Sequence, residues 1–326
     1  MAVGPTQVAL ARAVERIPEV SALPGGCRYE PKWDGFRAVV TREDAGATLR
    51  SRRGTDLSAT FPEITAAAVA QLAPGAALDG ELVVWTAGRL DFEALQERMG
   101  RGPRTAAAAS RSRPASLAVF DLLAVDGRDL RPLPFDERRA LLEQLAASWS
   151  PPLNLSPVTA SRDVAVTWFE TYAAAGIEGL VVKGGAQRYT AGERAWLKVK
   201  RRTTLDVIAG AVIGSREAPQ QVVAGLPVDG RLRIVGRTGP LSPGARVGLA
   251  RWLTAPIGEH PWPAVVPPGA FGRFNAQNGP VVLTLVEPIV VEVSADAAWN
   301  GRGFRHLLRF VRVQPEAEVA SVQPPP

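Results

Sequence analysis

The sequence predicts an α+β protein in two domains, and three observations carry that reading. Its 326 residues exceed what one hydrophobic core usually serves. The first two hundred residues alternate strand-like and helix-like segments. After Arg202 the composition shifts, because lysine disappears and short strands dominate around a single helix.

In the first region RAVVTRED, ATLRSRR, SLAVFDLLAV and GLVVKG read as strands, and WLKVKRR closes the region. ITAAAVAQLA, FDERRALLEQLAA and DVAVTWFETYAAAG read as helices, while ALDGELVVWTAGRLDF reads as strand, turn and helix start. The N-terminal stretch MAVGPTQVALARAVERIPEV reads as an amphipathic helix. RGPRTAAAASRSRP, between Arg101 and Pro114, is low in complexity and reads as an exposed loop. Beyond Arg202, LDVIAGAVIG, RLRIVGRTG, VVLTLVEPIVVEV and FRHLLRFVRV read as strands, with one helix near PGARVGLARWL. That pattern suits a small β-barrel such as the OB-fold, a frequent binder of nucleic acids. The expected organisation is residues 1–202, residues 203–313 as the barrel, and a disordered tail over 314–326.

Hydrophobic residues make up 46% and charged residues 21% of the chain, and the apolar runs are too short or interrupted to cross a bilayer. With no signal-peptide pattern at the N-terminus, the expectation is a cytoplasmic protein without membrane contact. Cys27 is the only cysteine, which excludes an intrachain disulfide, and two histidines, His260 and His306, provide no zinc ligand set. A net charge of +6 fits a polyanionic partner. Residues 1–200 hold 25 basic and 23 acidic side chains, and residues 201–326 hold 13 and 9, so the excess is spread over both parts.

Only four lysines stand against 34 arginines, and they fall inside short strings: Lys32 in KWDGFR, Lys183 in EGLVVK, Lys198 and Lys200 in WLKVK. Guanidinium stays protonated, whereas an amine can become a nucleophile or act as a compact phosphate contact. Lys32 precedes a turn-forming Asp34 and Gly35 and can project into a cleft between strands. A free lysine near pKa 10.4 is a poor nucleophile at neutral pH, so it needs desolvation or neighbouring cations, for which Lys198 and Lys200 are candidates. KWDG alone is also what a surface lysine in a tight turn looks like.

DGEL places Glu81 in a strand, FDLL offers Phe120 and Asp121, and EGLVVK sets Glu178 and Lys183 five residues apart. On a regular strand that spacing points them to opposite faces, and they reach one cleft only if Gly179 bends the strand. Together these residues offer an amine nucleophile, carboxylates for a metal or sugar hydroxyls, an aromatic for a base, and cations for phosphates. That is a nucleotide site. Trp33, Trp196, Trp252 and Trp299 read as packing residues.

The ordered strings KWDGFR, SRRG, DGELVV, FDLL, EGLVVK and WLKVK resemble the motif series of the covalent nucleotidyltransferases, which include ATP-dependent DNA ligases, RNA ligases and mRNA capping enzymes. Within that superfamily the chain is similar to the small actinobacterial-type DNA ligases. The resemblance implies an ATP-grasp-like adenylation domain of antiparallel sheets and helices followed by an OB-fold. It further implies that Lys32 takes AMP from ATP as a phosphoramidate, that Glu30 lies against the adenine, and that Arg37 lies near the sugar and phosphate side. Arg52 would touch the ribose or the DNA 5'-phosphate, Glu81 the ribose and a metal, Phe120 the adenine face, and Glu178 the metal. Lys183, Lys198 and Lys200 would hold the α-phosphate. The implied cofactors are ATP and Mg²⁺ or Mn²⁺. The implied partners are nicked double-stranded DNA and repair or end-joining proteins, met by a nucleoid-associated monomer.

One string departs from the family. Its members end the OB-fold on a basic motif of Arg, then Asp and Lys, that orients pyrophosphate. Here Arg312 can stand for the arginine, but Gln314 occupies the place of the acid and Glu316 follows. The competing readings are an RNA ligase, a guanylyltransferase that uses GTP, and a non-catalytic nucleic-acid-binding protein.

Overall fold

A computed structural model describes residues 7–99, 102–271, 279–296, 303–304 and 306–325. The chain divides into two compact units, Met1–Arg201 and Arg202–Pro326. No helix among the described residues is long and apolar enough to cross a membrane.

The strands of the first unit are Ala11–Val14 (β1), Cys27–Lys32 (β2), Phe36–Glu43 (β3), Gly46–Ser51 (β4), Ala77–Thr86 (β5), Arg89–Leu90 (β6), Ala115–Val125 (β7), Arg128–Asp129 (β8), Leu153–Leu155 (β9), Gly179–Gly184 (β10) and Trp196–Lys200 (β11). Its helices are Pro62–Gln71 (α1), Phe92–Glu97 (α2), Pro103–Ser112 (α3), Phe135–Ala146 (α4) and Arg162–Thr171 (α5). One sheet runs β1-β11-β10-β2 and another β4-β3-β5-β7-β8, with β6 on β5 and β9 on β7.

Side-chain alternation explains why the second of these sheets has two faces of different use. Ala38 and Val40 of β3, Leu78, Leu82 and Val84 of β5, and Leu117 and Val119 of β7 join Ile64 and Ala68 of α1 in one core. Removing each of the leucine, isoleucine and valine side chains from water contributes about 1.5–3 kcal/mol. The intervening positions Arg37, Glu81 and Phe120 point the other way, towards the first sheet. The cavity described below lies between the two sheets.

Two sequence expectations in this unit are corrected. The N-terminal stretch forms strand β1, not a helix: residues 11–14 pair in parallel with Trp196–Val199, and β11 supplies the backbone partners that local helix propensity lacks. The segment taken for a loop between Arg101 and Pro114 contains α3, with Pro103 at its first turn and four alanines in its body. Low complexity concealed an ordinary helix. Arg101 itself lies outside the described residues, as does Trp299.

In the second unit Arg202–Gly214 (β12), Pro219–Val228 (β13), Arg231–Arg237 (β14), Val265–Val266 (β15), Val281–Val282 (β16), Thr284–Asp296 (β17) and Arg309–Val313 (β18) accompany one helix, Pro243–Ala250 (α6). Five of the strands order as β14-β13-β12-β17-β18. A parallel bridge between Thr238 and Leu308 joins the two ends of that order, with Gly239 N donating to Leu308 O at 2.9 Å. The sheet therefore closes into a five-stranded barrel with its helix between the third and fourth strands, the topology of an OB-fold. Strand β13 had no counterpart in the sequence reading, because Pro219, Gly225 and Pro227 masked its apolar alternation.

The expectation of a disordered tail after Val313 is also corrected. Gln314 N donates to Val290 O at 2.9 Å, and Val322 is 4% exposed within the barrel's core. One well-placed valine anchors a segment whose composition alone reads as unstructured.

Candidate active site

Lys32 ends strand β2, where the chain turns through Asp34 and Gly35 into β3. A Cβ on Gly35 would lie 2.0 Å from Leu82 O, so only glycine lets the turn press against β5. In the other sheet Lys32 pairs with Gly179, and Gly179 pairs with Lys200. The two lysines therefore flank strand β10 in one row.

Gly179 resolves the condition set by the sequence. Its φ is +150°, and a Cβ there would meet Val199 O at 2.0 Å. The chain bends at this point, and Glu178 turns in between the two lysines. Its carboxylate accepts from Lys32 Nζ and stands 3.4 Å from Lys200 Nζ. The backbone secures the bend, since Glu178 N donates to Lys32 O at 3.0 Å and Arg201 N to Glu178 O at 2.8 Å.

Lys183, further along β10, belongs to a different environment. It is fully buried. Its ammonium lies 2.9 Å from Glu30 Oε2 and 3.5 Å from Asp121 Oδ2, and donates to Phe120 O at 2.9 Å. Asp121 in turn holds Arg138 through two bonds of 2.7 and 3.0 Å. Burial raises the Glu30 carboxyl above the usual carboxylate range, and Lys183 and Arg139 offset this only in part. Burial also opposes ionisation of Asp121, but Arg138 and Lys183 outweigh it and hold that carboxyl low. Lys183 thus lines the cavity with its ammonium held by Glu30 and Asp121.

The cavity between the sheets measures about 270 Å³. Its closed end is walled by buried Glu30, Phe120, Lys183 and Trp196, with Phe120 and Trp196 edge to face at 6.2 Å. Leu10 and Ala11 form a side wall. Its open end carries Lys32, Trp33, Glu81 and Lys198, with exposed Arg52 and Arg194 at the rim.

The open end is electrostatically unfinished. Burial pulls the Lys32 amine down, but Glu178, helped by Glu81 and Asp34, holds it above the ordinary lysine value. The resting amine is therefore protonated, contrary to the expectation that Lys198 and Lys200 would activate it directly. Lys198 is lowered by burial and by the nearby charges of Lys32, Lys200 and Arg194. Burial pushes Glu81 up to about 8 against the pull of Lys32 and Arg37. Neither the Lys198 ammonium nor the Glu81 carboxyl has a side-chain hydrogen bond or ion pair among the described residues.

Arg37 faces the cavity but is already engaged. It grips Asp79 through bonds of 3.0 and 2.6 Å, and Tyr189 Oη donates to the same carboxylate at 2.7 Å. Its remaining nitrogen donates to Ala9 O at 2.5 Å, which ties down the segment leading to Leu10 and Ala11. Burial opposes the Arg37 charge, and Asp79 more than restores it. Asp79, Tyr189, Arg194 and the wall residues Leu10 and Ala11 were not singled out by sequence reasoning. Asp79 had a signal as the first residue of DGEL; Tyr189 had none. Trp33 and Trp196, read as packing residues, both line the cavity, and Trp252 is 47% exposed.

Arg312 lies in the second unit on β18, opposite Glu292 of β17, and its Nε donates to Glu292 Oε2 at 2.7 Å.

Such a cavity suits an enzyme that binds a nucleotide and meets it with an amine. Residues 8–200 match the family described as ATP dependent DNA ligase domain. The chain is 35% identical over 319 residues to DNA ligase C2 of Mycolicibacterium smegmatis, covering 93% of this chain and 90% of the relative. It is 32% identical over 321 residues to DNA ligase C of Mycobacterium tuberculosis, covering 93% and 89%. The crystal structure of the ligase domain of M. tuberculosis LigD superposes with a TM-score of 0.50 at 26% identity, covering 98% of both chains. The chain belongs to the ATP-dependent DNA ligase family.

Proposed function

We propose that this ligase seals nicks in duplex DNA through a covalent adenylate on Lys32. After the Lys32 ammonium has given up a proton to solvent, its Nζ lone pair attacks the α-phosphorus of ATP, forming an N–P bond as the bond to the β-phosphate oxygen breaks and pyrophosphate leaves. The 5'-phosphate of a nick then takes the AMP from the lysine. Finally the adjacent 3'-hydroxyl displaces AMP and closes the strand. These steps depend on positioning and charge neutralisation.

The observation that carries the reading is the row Lys32, Glu178, Lys200, whose first member lines the open end of a cavity with a closed end that is apolar on its faces and acidic at one edge. Phe120 fits the face of the adenine. The Glu30 carboxylate, an acceptor, suits the adenine amino group, whereas guanine would present its own acceptor there. Lys198 and Lys200 suit the α-phosphate as compact charges. Lys183 acts one layer back, holding Glu30 and the Phe120 carbonyl in place, and Arg37 steadies the Leu10–Ala11 wall. Arg52 at the rim suits the incoming 5'-phosphate, and Arg312 the departing pyrophosphate.

Glu81 and Glu178 suit a divalent cation. Among the described residues no group of three or more His, Cys, Asp or Glu could hold one alone, so phosphates and water would complete the shell, as is usual for Mg²⁺. Burial pushes the Glu81 carboxyl up to about 8, and a cation bound beside it would favour the ionised form. Such an ion supplies positive charge that competes with Lys32 for both carboxylates and neutralises phosphate oxygens.

The substrate is nicked duplex DNA, held through phosphate contacts that carry little sequence information. A role in DNA repair follows from the relatives, since LigD of M. tuberculosis is named a multifunctional non-homologous end joining DNA repair protein. The enzyme works as a monomer in the cytoplasm, on the nucleoid. Incubation with α-labelled ATP and with labelled GTP, followed by a nicked duplex, tests the reading. ATP alone should label the protein, and the label should pass to DNA before release as AMP. Labelling by GTP would replace ligation with capping chemistry, and stable DNA binding without any label would leave a non-catalytic protein.

A further inference from the structure

Two tryptophans at the open end have no part in the steps above. Trp33 follows Lys32 and lines the cavity. Its indole N–H donates to Ser156 Oγ at 2.9 Å, which fixes the ring's orientation. Trp85 lies on β5 beyond Glu81, and residues 81, 83 and 85 share one strand face, so Trp85 stands on the cavity side of its sheet. The two indoles meet edge to face, with centroids 6.3 Å apart and planes at 82°. Trp85 is 42% exposed, the only aromatic among the large exposed hydrophobics of the first unit's described residues.

An aromatic pair in this place is not explained by ATP. The base has its own place at the closed end, against the wall that Phe120 and Trp196 form. The open end receives a triphosphate, a hydrated anion to which an indole offers no counter-charge. The strand end that must reach the Lys32 adenylate is what remains. Of the two ends at a nick, the 5' end brings a phosphate, for which Arg52 and Lys198 provide charge. The 3' terminus presents only a hydroxyl, a sugar and a base. Its placement has to come from contact with sugar and base faces, which aromatic side chains supply.

On the strength of the ligase reading, we infer that Trp33 and Trp85 form a shelf for the sugar and base of the nucleotide that carries the 3'-hydroxyl. The shelf holds that hydroxyl for attack on the adenylylated 5'-phosphate. The 3'-oxygen bonds to phosphorus, the phosphoanhydride bond to AMP breaks with its electron pair leaving on AMP, and the hydroxyl proton passes to solvent. Trp85 is a positioning residue in this step and takes no part in the first.

The test uses a nicked duplex whose 5'-phosphate already carries AMP, sealed under enzyme excess by the wild type, Trp85→Ala and Trp85→Phe. A second nick has an abasic nucleotide at its 3' terminus. Trp85→Ala should seal the intact nick about tenfold to thirtyfold more slowly, and Trp85→Phe should recover to within about threefold. The abasic nick should slow the wild type by a similar factor and Trp85→Ala no further. Labelling of all three proteins by α-labelled ATP should agree within about twofold, which a folding defect would not allow. Sealing by Trp85→Ala at the wild-type rate overturns the shelf, as does an equal loss on intact and abasic nicks, or a parallel loss of labelling and sealing in both variants. A wild type that neither takes label nor seals overturns the ligase reading itself.

Discussion

The two ends of the nucleotide cavity are built on opposite electrostatic plans. At the closed end each charge meets its counter-charge: Lys183 with Glu30 and Asp121, and Asp121 with Arg138. At the open end Lys32 and Lys200 share the single carboxylate of Glu178, while Lys198 and Glu81 lack ion pairs among the described residues. The closed end is complete before a ligand arrives, and the open end is completed by it. Buried pairs fix a shape for the base, whereas uncompensated charge in a half-buried mouth is free to act on phosphate and metal.

The contrast is sharpened first by exchanging one lysine at each end. Lys183→Met leaves two buried carboxylates facing the gap, so it should lower stability in denaturant by about 3–5 kcal/mol. Lys198→Ala removes a repelled cation and should change stability by no more than about 0.5 kcal/mol. It should nevertheless slow self-adenylylation about a hundredfold. Equal destabilisation by the two substitutions would erase the distinction.

Gly179→Ala comes next in size. Its Cβ would collide with Val199 O in a backbone conformation that side chains rarely adopt, at about 1–3 kcal/mol. Because the bend aims Glu178, labelling by ATP should fall about tenfold even at temperatures where the variant is folded. Unchanged labelling by folded Gly179→Ala would show that Glu178 does not need the bend.

The smallest effect concerns pH. Glu81 has a folded-state pKa of about 8, above its ordinary value of 4.5. Between those values the folded chain keeps a proton that the unfolded chain releases, so this group favours folding at low pH and the benefit is lost as pH rises from about 4.5 to 8. Glu81→Gln should flatten that slope, by on the order of 1 kcal/mol after screening at the open end. Denaturation midpoints at pH 5 and pH 8 for both proteins check it, and parallel slopes would refute it.

What was legible in the sequence was whatever sits within one strand or turn. KWDG places Lys32 at a bend, DGEL places Glu81 on a strand, and EGLVVK names the glycine on which Glu178 depends. The order of strings carried the family, and the strand pattern after Arg202 carried the barrel. Contacts between distant segments were not legible. Tyr189 meets Asp79 across 110 positions, and neither residue type announces such a pairing. The ion pairs of Lys183 with Glu30 and Asp121 were not legible, because strand parity says which face a side chain takes but not which charges wait there. The helix α3 was lost because an alanine-rich run between arginines resembles a linker in composition while having strong helix propensity.

Everything proposed for the open end depends on Lys32 carrying the nucleotide. Wild-type protein and Lys32→Arg should be incubated with α-labelled ATP and a divalent cation, digested under conditions that preserve phosphoramidates, and the adduct located by mass spectrometry. AMP should be found on Lys32 in the wild type and no adduct in Lys32→Arg, because a guanidinium offers no free amine at neutral pH. An adduct on Lys198, Lys200 or any other residue, or undiminished labelling of Lys32→Arg, would contradict it.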